Sequence, residues 1–149
     1  MPESENAFDI GEFDSIDEAQ LVIRDPRSDA PTTWVWTFYG PAHPKTVELA
    51  NRISREQLKE AREKEAAQVN QRKWKPQGDT PEEVLDRNIS NVIARVKSWT
   101  PIRINGENLT FSPETTKTLL MDRKKGWLLQ QIGDFLRDDA SFTKASASN

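Results

Sequence analysis

The stretch from Thr80 to Phe142 carries most of the regularly spaced apolar side chains of this chain and therefore constrains its fold most. It opens with Thr80-Pro81-Glu82-Glu83, where threonine can cap the first free amides, proline suits the first helical position and an acid can complete a capping box. Apolar residues then recur every three or four positions, which predicts one face of a helix of about five turns ending before Pro101. That face consists of Leu85, Ile89, Val92, Ile93, Val96 and Trp99.

A tight turn and two more helices are predicted after Pro101. Asn105-Gly106 lies between two short segments of alternating apolar residues, and both turn residues tolerate positive φ, so a β-hairpin is expected. Ser112-Pro113-Glu114 repeats the helix-start pattern, and a new helical period follows Gly126. The order helix, hairpin, helix, helix defines a predicted core at 80–142, which would include Trp99 and Phe111.

The composition indicates a small domain with solvated or partner-dependent extensions. Of 149 residues, 35% are hydrophobic and 30% are charged, so the core must be lean. The chain has no cysteine, which excludes disulfides and thiolate metal sites. No apolar run approaches the roughly 18 residues of a membrane span, and no secretory leader is evident, so we expect a soluble cytosolic protein.

The first 18 residues form a predicted acidic arm. They contain seven acidic residues and no lysine or arginine, which leaves the rest of the chain mildly basic. The arm also carries Phe8, Ile10, Phe13 and Ile16. It is either a docking peptide that folds on a partner or a solubilising tail, and the sequence leaves both interpretations open.

Two β-rich runs at 19–24 and 33–39 predict a hairpin over 19–40. Trp34, Trp36 and Phe38 alternate along the second run and therefore share one face. Such a face either covers a small core or stays available for a partner. Both interpretations remain open for this hairpin.

The segment 41–75 reads as a long charged helix, with an apolar stripe too thin for a core element, so we expect an exposed strut or a partner-facing helix. At its end Arg72, Lys73, Trp74 and Lys75 place cations around an aromatic ring, a pattern that can bind nucleic acid. The balanced charge of the flanking helix and the acidic net charge disfavour that role. A hinge at 76–79 and a flexible tail at 143–149 complete the predicted organisation.

No catalytic or metal-binding pattern stands out. The single histidine, His43, has no acidic pair or cysteine at ligand spacing, and we expect a structural or solvent-facing role for it. Phosphate-binding glycine loops and nucleophile motifs are missing from the sequence, so neither an enzyme nor a cofactor is predicted. The predicted fold class is α+β: a mainly helical C-terminal part with a short β-hairpin, preceded by an N-terminal β-hairpin and the long charged helix.

The order of short motifs over about residues 19–143 resembles small bacteriophage proteins of the tail assembly chaperone type. No single motif is specific, and the order and spacing carry the resemblance. The motifs are Ile23-Arg24-Asp25-Pro26, Trp36-Thr37-Phe38-Tyr39-Gly40-Pro41-Ala42-His43-Pro44-Lys45, Trp99-Thr100-Pro101, Asn105-Gly106-Glu107, Phe111-Ser112-Pro113-Glu114, Leu119-Leu120, Phe135-Leu136 and Asp138-Asp139-Ala140-Ser141-Phe142.

The resemblance implies a non-enzymatic protein of the host bacterial cytoplasm that keeps the tape measure protein soluble while tail tube subunits assemble. The alternative is a structural virion subunit of the tail, neck or capsid that stays in the mature particle, and self-association fits either role. For partner binding we expect the aromatics that a lean core cannot fully absorb. These are Trp34, Trp36, Phe38, Trp127, Phe135 and Phe142.

Overall fold

The computed structural model describes residues 7–70 and 80–143 and has an α+β architecture, as predicted. The predicted hinge at 76–79 and residues 144–149 of the predicted tail lie outside these ranges. The described strands are β1 (Glu18–Arg24), β2 (Pro31–Tyr39), β3 (Val96–Trp99), β4 (Ile102–Ile104) and β5 (Glu107–Leu109). The described helices are α1 (Pro44–Val69), α2 (Pro81–Ile93), α3 (Pro113–Met121) and α4 (Gly126–Arg137), with 3-10 turns at Ile10–Phe13, Arg123–Lys125 and Asp139–Phe142.

The strands β1, β2 and β3 form an antiparallel sheet with β2 in the centre. The predicted N-terminal hairpin is therefore present, but β3 is an addition to it. The prediction that one helix runs from Pro81 to Trp99 is wrong after Ile93. The helix ends at Ile93, and Val96–Trp99 pairs with β2 instead.

The free edge of β2 explains why the chain leaves the helix. Thr100 N donates to Val35 O at 2.9 Å and Tyr39 N donates to Arg95 O at 2.8 Å. Forming a strand instead of a further helical turn therefore satisfies backbone groups of β2 that an edge strand leaves unpaired. Trp99 lies opposite Trp36, with ring centroids 6.0 Å apart and ring planes inclined by 28°. Cross-strand aromatic pairing of this kind stabilises the strand arrangement.

Most local signals of the C-terminal part act as predicted, but neither of the acids predicted to complete a capping box, Glu83 and Glu114, does so. Asn105 and Gly106 adopt φ values of 51° and 85° and connect β4 to β5. Thr80 Oγ1 accepts a hydrogen bond from Glu83 N at 3.2 Å at the start of α2. At the start of α3, Ser112 forms a reciprocal capping box with Thr115.

One hydrophobic cluster joins the N-terminal sheet to the C-terminal helices. It contains Ala19, Ile23, Trp36, Phe38, Ile89, Val96, Trp99, Leu119, Leu120, Leu128, Ile132 and Phe142. Trp99 is buried as predicted, and Phe111 packs on its ring edge-on at 5.9 Å. The indole Nε1 of Trp99 donates to Thr116 Oγ1 at 2.9 Å inside this core.

Candidate interaction surface

The long helix α1 projects from this core with little packing of its own. His43 caps it, because its Nδ1 accepts a hydrogen bond from Lys45 N at 3.0 Å, and Pro44 occupies the first turn. Its 26 residues extend about 39 Å at 1.5 Å per residue. Leu49 is its only buried residue, and no described element packs extensively against it. A helix with so little burial against the rest of the described chain leaves most of its side chains available for another molecule.

An apolar stripe follows the exposed side of α1. At 100° per residue its members lie within an arc of about 100°. Val47, Leu58 and Val69 are 44%, 58% and 77% exposed. The apolar members are Val47, Ala50, Leu58, Ala61 and Val69, and the polar Asn51, Ser54 and Glu65 lie in the same arc, all of them exposed. From Val47 to Ala61 this stripe has the three- and four-residue spacing that a second helix can pack against.

A basic flank borders the stripe on one side. Arg55, Lys59 and Arg62 recur at i, i+4 and i+7, which places them on one side of α1. None of the three forms an ion pair with another described residue. We call these three residues the basic flank.

A second exposed apolar feature is the tip of the acidic arm, formed by Phe8, Ile10 and Phe13. These side chains are 76%, 72% and 63% exposed. The two phenylalanine rings stack on each other at 5.4 Å, and Asp9 Oδ1 accepts from Gly11 N at 2.9 Å to hold the turn. A docking segment is one of the two interpretations that the sequence allows for the arm, and the structure shows the apolar side chains of Phe8, Ile10 and Phe13 on the surface.

The base of the arm is fixed to the folded body. Ile16 N donates to Phe142 O at 2.8 Å, and Gly40 N donates to Asp17 O at 2.7 Å. Arg95 reinforces this region, since its Nη2 donates to Tyr39 O at 2.9 Å and its guanidinium lies 5.0 Å above the Phe142 ring. Burial lowers the pKa of this guanidinium. The tip is therefore presented from a rigid base.

Three of the six aromatic residues predicted to bind a partner are in the core. Trp36 and Phe38 are 0% exposed and Phe142 is 2% exposed, so they present no binding face in the folded chain. The physical reason is that α3 and α4 cover the aromatic face of β2, with Phe135 of α4 packing on Phe38 at 5.5 Å. Although only 35% of the residues are hydrophobic, they suffice to enclose these three aromatic side chains.

The other three predicted residues, Trp34, Trp127 and Phe135, are partly buried against the same cluster. They lie on β2 and α4 and offer only part of each ring to a partner. The predicted nucleic-acid cluster Arg72, Lys73, Trp74 and Lys75 lies outside the described residues.

A cleft of about 450 Å³ lies between the β4–β5 hairpin and α3. Ile104, Leu109 and Leu119 form its apolar wall, while Glu107 and Glu114 lie at its polar side. The residues lining it include no histidine, cysteine or serine. Within residues 7–70 and 80–143, no group of three or more potential metal ligands comes together.

No described helix combines the length and apolar content needed to cross a membrane. No protein-family model matches the chain, and neither the curated proteins nor the solved structures contain a significant match. The interaction surface must therefore be interpreted from its own chemistry.

Proposed function

We propose that this protein is a non-enzymatic phage assembly protein, a tail assembly chaperone that binds the tape measure protein during tail morphogenesis in the host cytoplasm. The observation that carries the proposal is α1, a helix of 26 residues with an exposed apolar stripe and almost no packing within the chain. The sequence resemblance supplies the class of partner, and the form of α1 supports it.

The stripe suits a helical client. A long helical protein awaiting assembly exposes apolar residues every three or four positions, and α1 offers a complementary row over about 33 Å from Val47 to Val69. Leu58 is 58% exposed, and burying this exposed part against a partner contributes roughly 1 kcal/mol to the free energy of binding. The intervening Ala50, Ser54 and Ala61 are small, which allows close approach of two helix backbones. The result is a moderate, reversible contact, which suits transient holding.

The test is co-expression of the tape measure protein from the same phage with wild type or with a stripe variant that carries Val47→Ser and Leu58→Ser. Both residues are exposed, so the variant should fold. Val84→Ser on α2 is the matched control, since Val84 is 37% exposed and lies away from the stripe. We expect soluble tape measure protein with wild type and Val84→Ser, and loss of it with the stripe variant. Equal solubility in all three would refute the proposal.

Mass spectrometry of purified particles distinguishes a chaperone from the alternative of a structural virion subunit. Absence from particles, together with abundance in infected cells, supports a transient assembly factor. Presence at a fixed ratio to the tail tube or shell proteins would instead make the chain a virion component that uses the same helix between copies.

A further inference from the structure

We propose that the arm tip of one chain docks on the basic flank of α1 in a second copy of the same chain. The interaction is an apolar contact of Phe8, Ile10 and Phe13 with the region around Leu58, enclosed by pairs of opposite charge. The proposal does not depend on the chaperone function.

The arm tip exposes apolar side chains beside carboxylates that form no ion pair with a described residue. Three large apolar side chains are exposed within six residues, and a hydrogen-bonded turn holds two of the rings together. Exposed clusters of this kind mark interaction sites. The surrounding carboxylates of Asp9, Glu12 and Asp14 form no ion pair with a described residue. The tip therefore fits an apolar surface that carries positive charge.

The middle of α1 supplies that surface. Leu58 is more than half exposed and adjoins the basic flank of Arg55, Lys59 and Arg62. Three cations on this helix and three carboxylates on the arm, none of which pairs with a described residue, are opposite in charge and equal in number. This complementarity of charge and apolar contact identifies the occupant as another copy of this chain.

The contact forms between chains rather than within one. In a single chain the rings of Phe8 and Phe13 remain exposed, and no ion pair joins a described carboxylate of the arm to α1. The base of the arm is held by the Ile16–Phe142 and Gly40–Asp17 hydrogen bonds, which fix where the tip points. Each copy both offers an arm and accepts one, so a two-fold arrangement engages both arms and closes the assembly as a dimer.

Sedimentation velocity of the full chain over a range of concentrations at low and high salt provides the test. We expect a concentration-dependent dimer that weakens as salt is raised, because the charge pairs lie at the surface. The helix variant Lys59→Glu with Arg62→Glu, and the arm variant Glu12→Lys with Asp14→Lys, should each raise the dissociation constant by about tenfold or more. One chain carrying all four substitutions should dimerise again, since the charges are then exchanged rather than lost.

A control variant separates this contact from a general effect of charge. Arg123→Glu with Lys124→Glu makes the same change in net charge as the helix variant, at exposed residues away from α1. It should leave dimerisation unchanged. Phe8→Ser with Phe13→Ser should abolish the dimer without lowering the melting temperature, because both rings lie outside the core.

Three results would overturn the proposal. One is a wild-type chain that stays monomeric at every concentration, which would leave the arm tip to a foreign partner. Another is a dimer that survives both charge reversals, which would place the interface elsewhere. The third is failure of the four-substitution chain to dimerise although each reversal alone dissociates the dimer. Solubilisation of the tape measure protein is scored separately, so the two proposals can fail independently.

Discussion

Replacing Trp36 by alanine should destabilise the fold severely. Trp36 is 0% exposed, and its ring contacts Trp34, Phe38 and Trp99 at centroid distances of 5.4, 6.0 and 6.0 Å. Truncating a buried aromatic residue costs about 3–5 kcal/mol of the free energy of unfolding, because both apolar contact and packing are lost. Small domains are stable by only about 5–15 kcal/mol, so a large part of that free energy of unfolding would be lost. The melting temperature should fall by roughly 10–20 °C.

Urea unfolding followed by circular dichroism measures this change, with Leu58→Ala as the matched control. Leu58 is exposed, and its truncation should alter the free energy of unfolding by less than about 0.5 kcal/mol. A partner-binding role for Trp36 predicts the opposite result. Its replacement would then weaken binding to the partner while leaving the urea midpoint of unfolding near that of Leu58→Ala. That outcome would refute the argument from burial.

Three further changes probe single interactions. Thr116→Val should destabilise the protein by about 1–3 kcal/mol in urea unfolding because it leaves the buried Trp99 Nε1 without its acceptor, and an effect below 0.5 kcal/mol would contradict this. Gly40→Ala should accelerate amide exchange at the base of the arm, since an added Cβ would lie 1.9 Å from a backbone carbonyl of the arm, and unchanged exchange would argue against this close packing. The hydrogen bond from the Arg27 side chain lowers the pKa of Asp25 from 3.8 to about 2. The interaction of the Asp25 carboxylate with Arg27 therefore contributes fully to stability above pH about 4, and this contribution is lost as the pH falls through 2. Carboxyl titration by NMR should show that pKa, and Arg27→Gln should return it towards 3.8; a pKa that does not move would contradict the assignment of its cause.

The sequence predicted those parts of the fold that depend on neighbouring residues. The Asn105-Gly106 turn, the caps at Thr80 and Ser112 and the existence of α1 all follow from local chemistry. Each requires only residues within four positions of one another, apart from the full length of α1. That is why short patterns were sufficient for them.

The end of α2 could not be predicted in this way. Val92, Val96 and Trp99 are spaced by four and three residues, which fits a helix, while the segment Val96–Trp99 is too short for its alternation to indicate a strand. The outcome is decided by the open edge of β2, which lies about sixty residues earlier in the chain. Tertiary pairing outweighed the helical period.

The candidate surface was only partly predictable for a related reason. The sequence alone leaves open whether the aromatic face of a two-stranded hairpin is covered, because the third strand and the helices that bury Trp36 and Phe38 come from distant parts of the chain. For the arm tip, the sequence left the role undecided and the structure shows exposed side chains. Phe8 and Phe13 stand among acidic residues, a pattern that does not separate a solubilising tail from a docking segment, and only their ordered stacking favours docking.

The two proposed contacts lead to a last prediction, because both use Leu58. If the arm tip of a second copy covers the side of α1 that a tape measure helix also needs, the two cannot bind fully at once. Adding a helical segment of the tape measure protein from the same phage to the dimer should then release monomers, each bound to one segment. The Phe8→Ser, Phe13→Ser variant, freed of its arm contact, should bind that segment more tightly than wild type, because no dimer has to dissociate first. Sedimentation with a fluorescently labelled segment measures both effects. A complex of the segment with an intact dimer, or equal affinity in the two chains, would show that the contacts lie on different sides of α1, and the arm would then act as an assembly contact rather than as a cover for the binding helix.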